Sequence, residues 1–148
     1  MKKIAFLVVC AAILGGCAIM VPGHLYPVQG PLSMQSTPPS YEVTLNGIMN
    51  SGSIEIHPAN GISCGGEWSM VAQGDPSARQ LAIEWDTVYG SGFFVANVLG
   101  RSSFGRSALT CQGGEKISLE FLMSEPGNWS TAKGVARDAV GNVYKLTF

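Results

Sequence analysis

Ser107-Ala108-Leu109-Thr110-Cys111-Gln112, Gly113-Gly114-Glu115 and Lys116-Ile117-Ser118-Leu119-Glu120-Phe121-Leu122-Met123 read as two strands and the turn between them. Ile117, Leu119, Phe121 and Met123 alternate with Ser118, Glu120 and Leu122. A period of two is what a strand with one face turned inward requires. Gly113-Gly114 suits a hairpin, because tight hairpin turns need residues that accept positive φ without a Cβ clash.

The same pattern continues on both sides. Upstream, Val43 and Leu45 alternate with Glu42, Thr44 and Asn46, and Ile54 and Ile56 alternate with Ser53, Glu55 and His57. Asn60-Gly61 is a second hairpin signal, followed by a strand over residues 62–71 that contains Cys64 and Trp68. Downstream, residues 132–138 and 143–148 flank a turn at Gly141-Asn142, with Tyr144, Leu146 and Phe148 on one face. Residues 93–99 are almost continuously apolar, as expected of a strand buried on both faces. Residues 75–90 fit two periods, since Leu81, Ile83, Trp85 and Tyr89 also alternate. The ends settle the choice: Asp75 suits an N-cap, Pro76 a first helical position and Gly90 a stop, which predicts a helix over 76–89. The fold class is mainly β: a small antiparallel sandwich or barrel of about seven strands with one short helix.

Before this domain lies a different kind of sequence. Lys2 and Lys3 precede an uncharged apolar run from Ile4 to Leu14, the layout of a signal peptide. The run is shorter than the roughly 20 residues of a membrane-spanning helix. Leu14-Gly15-Gly16-Cys17 resembles the lipobox of bacterial prolipoproteins: an aliphatic residue, two small ones and a cysteine whose thiol takes a diacylglyceryl group. The expected organisation is a signal peptide at 1–16, lipidated Cys17 with a tether through residue 40, and a β domain at 41–148. Pro22, Pro27, Pro31, Pro38 and Pro39 motivate the tether, because proline removes backbone donors and favours extended chain. Leu25-Tyr26-Pro27-Val28 is more apolar than a solvated spacer needs and is expected to pack on the domain. Ala18 after the cysteine, in place of Asp, favours the outer membrane over inner-membrane retention by analogy with enterobacterial sorting, and the expected location is its periplasmic leaflet.

Composition narrows the function classes. The formal charge is −1, and −3 once Lys2 and Lys3 leave with the signal. No basic run remains to bind nucleic acid. Of four cysteines, Cys10 leaves, Cys17 takes lipid, and Cys64 and Cys111 remain as an even pair in an oxidising compartment, where a disulfide is expected. His24 and His57 are the only histidines and nothing stands at zinc-ligand spacing, so no metal is expected. Gly90-Ser91-Gly92 and Gly113-Gly114 lack the lysine and helix of a phosphate loop, so no cofactor is expected either.

Gly61-Ile62-Ser63-Cys64-Gly65 matches the G-x-S-x-G string, with His57 as the candidate base. That motif needs a strand before the serine and a helix after it, whereas here a turn precedes and a strand follows. Glu67 beside Trp68 is the most suggestive carboxylate–aromatic pair for a sugar, against a solvated strand face as the plainer reading. Asp138 precedes a tight turn, where Asp commonly bonds its own backbone. Asp86 sits on the exposed side of the helix or bonds a nearby loop. Trp129, after Pro126-Gly127-Asn128, is placed in a loop with exposure expected. No catalytic residue is assigned, and ligand-binding residues stay unassigned.

Trp85-Asp86-Thr87-Val88-Tyr89-Gly90-Ser91-Gly92-Phe93 and Gly134-Val135-Ala136-Arg137-Asp138, with Gly141-Asn142-Val143-Tyr144-Lys145-Leu146-Thr147-Phe148, resemble motifs of small bacterial lipoproteins to which no activity is assigned. The resemblance implies export and lipidation. The functional expectation is a membrane-anchored, non-enzymatic accessory or binding module with an envelope protein or glycan as partner. One alternative is an inhibitor of a cell-wall hydrolase or another secreted enzyme. Leu109-Thr110-Cys111-Gln112-Gly113-Gly114 through Phe121 resembles an element of the lysozyme-inhibiting periplasmic lipoproteins. The Gly90-Ser91-Gly92-Phe93 loop is similar to their inhibitory loop, although theirs follows that element and this one precedes it. A small hydrolase is the other alternative.

Overall fold

The computed structural model describes residues 18–58, 61–125 and 127–148. The signal peptide and the lipobox through Cys17 lie outside the described residues, as do Asn60 and Pro126.

Eight strands follow one another around a closed antiparallel barrel: β1 (Ile19–Gln29), β2 (Tyr41–Ile48), β3 (Ser51–His57), β4 (Cys64–Met70), β5 (Phe104–Cys111), β6 (Lys116–Leu122), β7 (Lys133–Asp138) and β8 (Val143–Thr147). Each pairs with the next, and β1 closes the ring on β8 from His24↔Thr147 to Gln29↔Val143. The fold is therefore the barrel form of the mainly β class, with both expected hairpins present and their turns at residues 112–114 and 139–141, the second two residues earlier than Gly141-Asn142 suggested. β3 and β4 form the hairpin expected across Asn60.

The eighth strand comes from the segment read as a tether, and this is a correction. Residues 19–29 are in the barrel wall, with Leu25 fully buried and Pro22, His24, Tyr26 and Val28 facing out. The prolines are tolerated because they stand where the ladder asks little of them. Pro22 is opposite Thr44 of β2 but precedes the first β8 pair, and Pro27 borders the bulge between Pro27 and Gln29 against β8.

The barrel interior is filled. Leu25, Val43, Leu45, Ile54, Ile56, Leu109, Leu119 and Leu146 are essentially inaccessible. One end is closed by rings: Trp68 meets Phe121 at 5.4 Å and Trp129 at 5.5 Å, both edge-on. Edge-to-face contacts set the positive ring edge against the negative ring face. Two glycines make the room: a Cβ on Gly47 would lie 2.4 Å from the Trp68 ring, and one on Gly105 2.4 Å from Phe121. The Trp68 indole N–H donates to the Asn46 carbonyl at 2.9 Å. Trp129, expected to be exposed, belongs to this cluster because the loop before β7 folds back over the barrel end.

Between β4 and β5 the chain forms a cap on the outer face of β6 and β7. The predicted helix occurs in two pieces, a 3-10 turn at Pro76–Arg79 and α1 at Ala82–Tyr89. Asp75 caps the first as expected, its carboxylate accepting the Ser77 N–H at 2.8 Å. The predicted strand over 93–99 is a π-helical turn, Phe94–Val98. Phe94 and Val98, four residues apart, are buried while Val95 is exposed, so the apolar run serves a helical face. Leu81, Trp85, Phe94 and Val98 meet Phe104, Leu122 and Val135 in a second core outside the barrel. β6 is consequently buried on both faces from Leu119 to Leu122.

Cys64 and Cys111 are disulfide-bonded across β4 and β5. The Gln112 N–H donates to the Ser63 carbonyl, so the adjoining 64/111 pair falls on the rung without hydrogen bonds, where facing side chains are closest. At a sequence separation of 47, the bond stabilises the fold by about 4 kcal/mol through unfolded-chain entropy. Replacing both with alanine is expected to lower the unfolding free energy by that order in urea titration, and an unchanged midpoint contradicts it.

Candidate functional site

The barrel end away from the ring cluster is where β1, β3, β5 and β7 finish and β2, β4, β6 and β8 begin. It holds a pocket of about 220 Å³. Leu25, Ile56 and the Cys64–Cys111 disulfide form its floor, and Ile62, Ile117 and Val140 its rim. Strand alternation produces this surface: the inward residues near each strand end meet there, and the disulfide replaces two of them with sulfur.

The polar groups of the mouth centre on Asp138. One carboxylate oxygen accepts the N–H groups of Val140 at 3.1 Å and Asn142 at 2.9 Å. The other accepts the Asn142 amide at 2.7 Å and the Tyr144 hydroxyl at 2.8 Å. The expected bonding of Asp138 to its own turn is present. Asn142 in turn accepts the Leu32 N–H at 2.9 Å, tying the 3-10 turn Pro31–Met34 to the rim. Burial, with the Asp138 hydrogen bond and charge, holds the Tyr144 hydroxyl far above the ordinary phenol range. Burial, and secondarily Asp138, also raises Tyr41, whose ring meets Tyr144 edge-on at 6.1 Å. Both phenols are neutral donors at physiological pH. Among the described residues the Tyr41 hydroxyl has no hydrogen-bond partner, so the mouth offers a greasy cup with one available O–H.

A second polar cluster lies under the helical cap. Glu120 is on the outward face of β6 yet only 1 % exposed. Its carboxylate accepts the Trp85 indole N–H at 2.8 Å and the Leu81 N–H at 3.3 Å. Burial outweighs these two donors and pushes its pKa up to about 7. Glu84, also buried, pairs with Arg137 of β7 at 2.8 Å. Arg106 reaches the Ser77 hydroxyl and carbonyl and lies 3.5 Å from Asp75, whose carboxyl the Ser77 hydrogen bonds hold below its usual range. These contacts fasten the cap to the barrel.

The sequence-derived candidates separate. Ser63 leads into β4 and Cys64 is in the disulfide, so the G-x-S-x-G string has a strand where its motif needs a helix. His57 lies 3.4 Å from Glu55 on the exposed face of β3. Glu67 and Trp68 point to opposite faces, Trp68 into the core, so they form no sugar platform. Asp86 bonds the neighbouring loop, accepting Gly92 N–H at 3.0 Å and Phe94 N–H at 2.9 Å. Tyr41, Ile117, Val140 and Tyr144 were not singled out by sequence reading. The inward parity of Tyr41, Ile117 and Tyr144 is legible, but neither which barrel end stays open nor that the Val140 turn borders it. Compared with known proteins, the chain matches no family, no curated protein and no solved structure.

Glu120 sets a pH dependence. A carboxyl whose folded pKa is raised binds more protons folded than unfolded, so its stabilisation is full below about 4.5 and is lost as pH rises through about 7. The loss is on the order of 3 kcal/mol. In urea unfolding, wild type is expected to lose more stability than Glu120→Gln between pH 4.5 and 8; parallel profiles count against it.

Proposed function

We propose that the chain is an exported lipoprotein held by acyl chains on Cys17 in the periplasmic leaflet of the outer membrane, and that its barrel is a non-enzymatic binding module. The observation that carries the binding role is the mouth pocket: apolar walls, a rigid disulfide floor and one available hydroxyl. Ligand sites are concave, mostly apolar and marked by a few placed polar groups. At about 220 Å³ this one suits a single aromatic ring system or a short aliphatic group, either free or as a side group of an envelope protein or glycan. The lipobox supports the anchoring reading, and the even pair of remaining cysteines supports export.

A second reading, inhibition of a cell-wall hydrolase or other secreted enzyme, draws on the exposed loop at residues 90–92, which Asp86 holds in one shape. Stoichiometric loss of lysozyme turnover on adding the protein, relieved by Asp86→Ala, is the result that would favour it.

Two measurements test the main reading. Cys17→Ala is expected to move the chain from the membrane to the soluble periplasmic fraction; retention in the membrane sinks the anchor. For the pocket, a neutral naphthyl dye is expected to bind Cys17→Ala saturably at one site. Val140→Asp at the rim should weaken it at least tenfold, and Ile83→Asp on the exposed side of α1 should not. No saturable binding, or equal loss in both variants, rules the mouth out.

A further inference from the structure

We infer that the barrel corner opposite the mouth is a membrane-seating surface, formed by Ile19, Met20, Ile48 and Met49, which holds the domain against the bilayer with its pocket facing away. The inference rests on the lipid-anchor reading above and adds to it an orientation and a contact face.

The corner is built by barrel stagger. Pairing of β1 with β8 starts at His24↔Thr147, whereas pairing with β2 runs on to Ile19↔Gly47. Residues 19–22 therefore project past the end of β8, by roughly 13 Å at strand rise. The β2–β3 hairpin ends beside them, with Ile48 opposite Ser51 and Met49 in the turn. Met20 lies opposite Asn46 and Ile19 opposite Gly47, so Ile48 continues the same ribbon one rung further out.

This projecting tip is apolar where a solvent-facing tip has no reason to be. Met49 is 83 % exposed, Met20 73 %, Ile48 51 % and Ile19 36 %. Residues 18–23 and 45–53 carry no charge, and Asn46, Asn50, Ser51 and Ser53 are the polar side chains nearest the tip in sequence. Met49 has φ 58, the one non-glycine with positive φ among the described residues. Glycine or asparagine is the ordinary occupant of such a position. A methionine there, contacting no core, breaks a local rule without an internal gain, and such breaks concentrate at functional places. Methionine is unbranched and adaptable, suited to an irregular, fluid surface.

Where the chain leaves the structure chooses the occupant. Ile19 is two residues after Cys17, a covalent reach of at most about 7 Å, so an acylated Cys17 ties this tip to the bilayer on a very short leash. There is no tether to lift the barrel away. An apolar tip beside a lipid anchor adds buried area to the acyl chains' own hold and fixes the domain's tilt, which acyl chains alone do not. The mouth, at the opposite strand ends, then faces away from the membrane.

The test uses the full lipidated chain in phosphatidylethanolamine–phosphatidylglycerol vesicles with brominated acyl chains, which quench tryptophan on contact. Met49→Trp and Met20→Trp report the tip, and Val140→Trp the mouth. The tip tryptophans are expected to lose more than half of their added emission, and Val140→Trp less than a tenth. Equal, weak quenching at both ends in a chain that floats with the vesicles and carries lipid on Cys17 overturns the seating and leaves the anchor standing. A chain whose Cys17 proves unmodified by mass spectrometry, and which does not float, overturns both.

Discussion

Closure of the ring by β1 is the constraint on which the rest depends. An antiparallel sheet of seven strands leaves two edges of unpaired N–H and C=O groups, which invite pairing with other chains. β1 removes both at once, bonding β2 on one side and β8 on the other. Without it the interior apolar faces of β2 and β8 would be open, and neither the mouth nor the projecting corner would exist. The two prolines of β1 are where this closure is least demanding, one beyond the reach of β8 and one beside a bulge.

Once closed, the barrel has an interior too small to stay empty and too regular to fill with aliphatics alone. Trp68, Phe121 and Trp129 fill the end beneath Gly47 and Gly105, while the disulfide and smaller aliphatics leave a shallow cup at the other. Close packing at one end and sulfur-floored concavity at the other give the molecule a direction. The proposed anchor and the proposed binding pocket sit at opposite ends of that axis.

The helical cap adds a second core without touching the first. It covers the outward face of β6, so a residue in a polar position of the strand pattern, Glu120, becomes buried. The indole N–H of Trp85 and the backbone N–H of Leu81 meet its carboxylate, but desolvation dominates and the acid titrates near neutrality. Arg137–Glu84 and Arg106–Ser77 bind the cap from either side. The cap and barrel are thus joined by a few polar bridges around an apolar centre, one of them sensitive to pH.

Alternation of two made β2, β3, β6 and β8 legible, and the turn signals at Gly113-Gly114 and Gly141-Asn142 placed β5 beside β6 and β7 beside β8. The Asp75 cap and Gly90 stop located the helical segment, and export-type cysteine usage matched the observed disulfide. Three things were hidden. β1 was masked by prolines whose cost falls beyond the end of β8 or beside a bulge, which only the neighbouring strands define. Residues 93–99 have no period of their own, because a short apolar run serves a strand or a helical turn equally and the cap surface chose the latter. The mouth depends on which barrel end its loops and rings close. Local patterning determines strand existence, turns and caps, since these are short-range steric and hydrogen-bonding preferences. Tertiary structure alone decided ring closure, the burial of Glu120 and the open end, since each depends on residues brought together from distant parts of the chain.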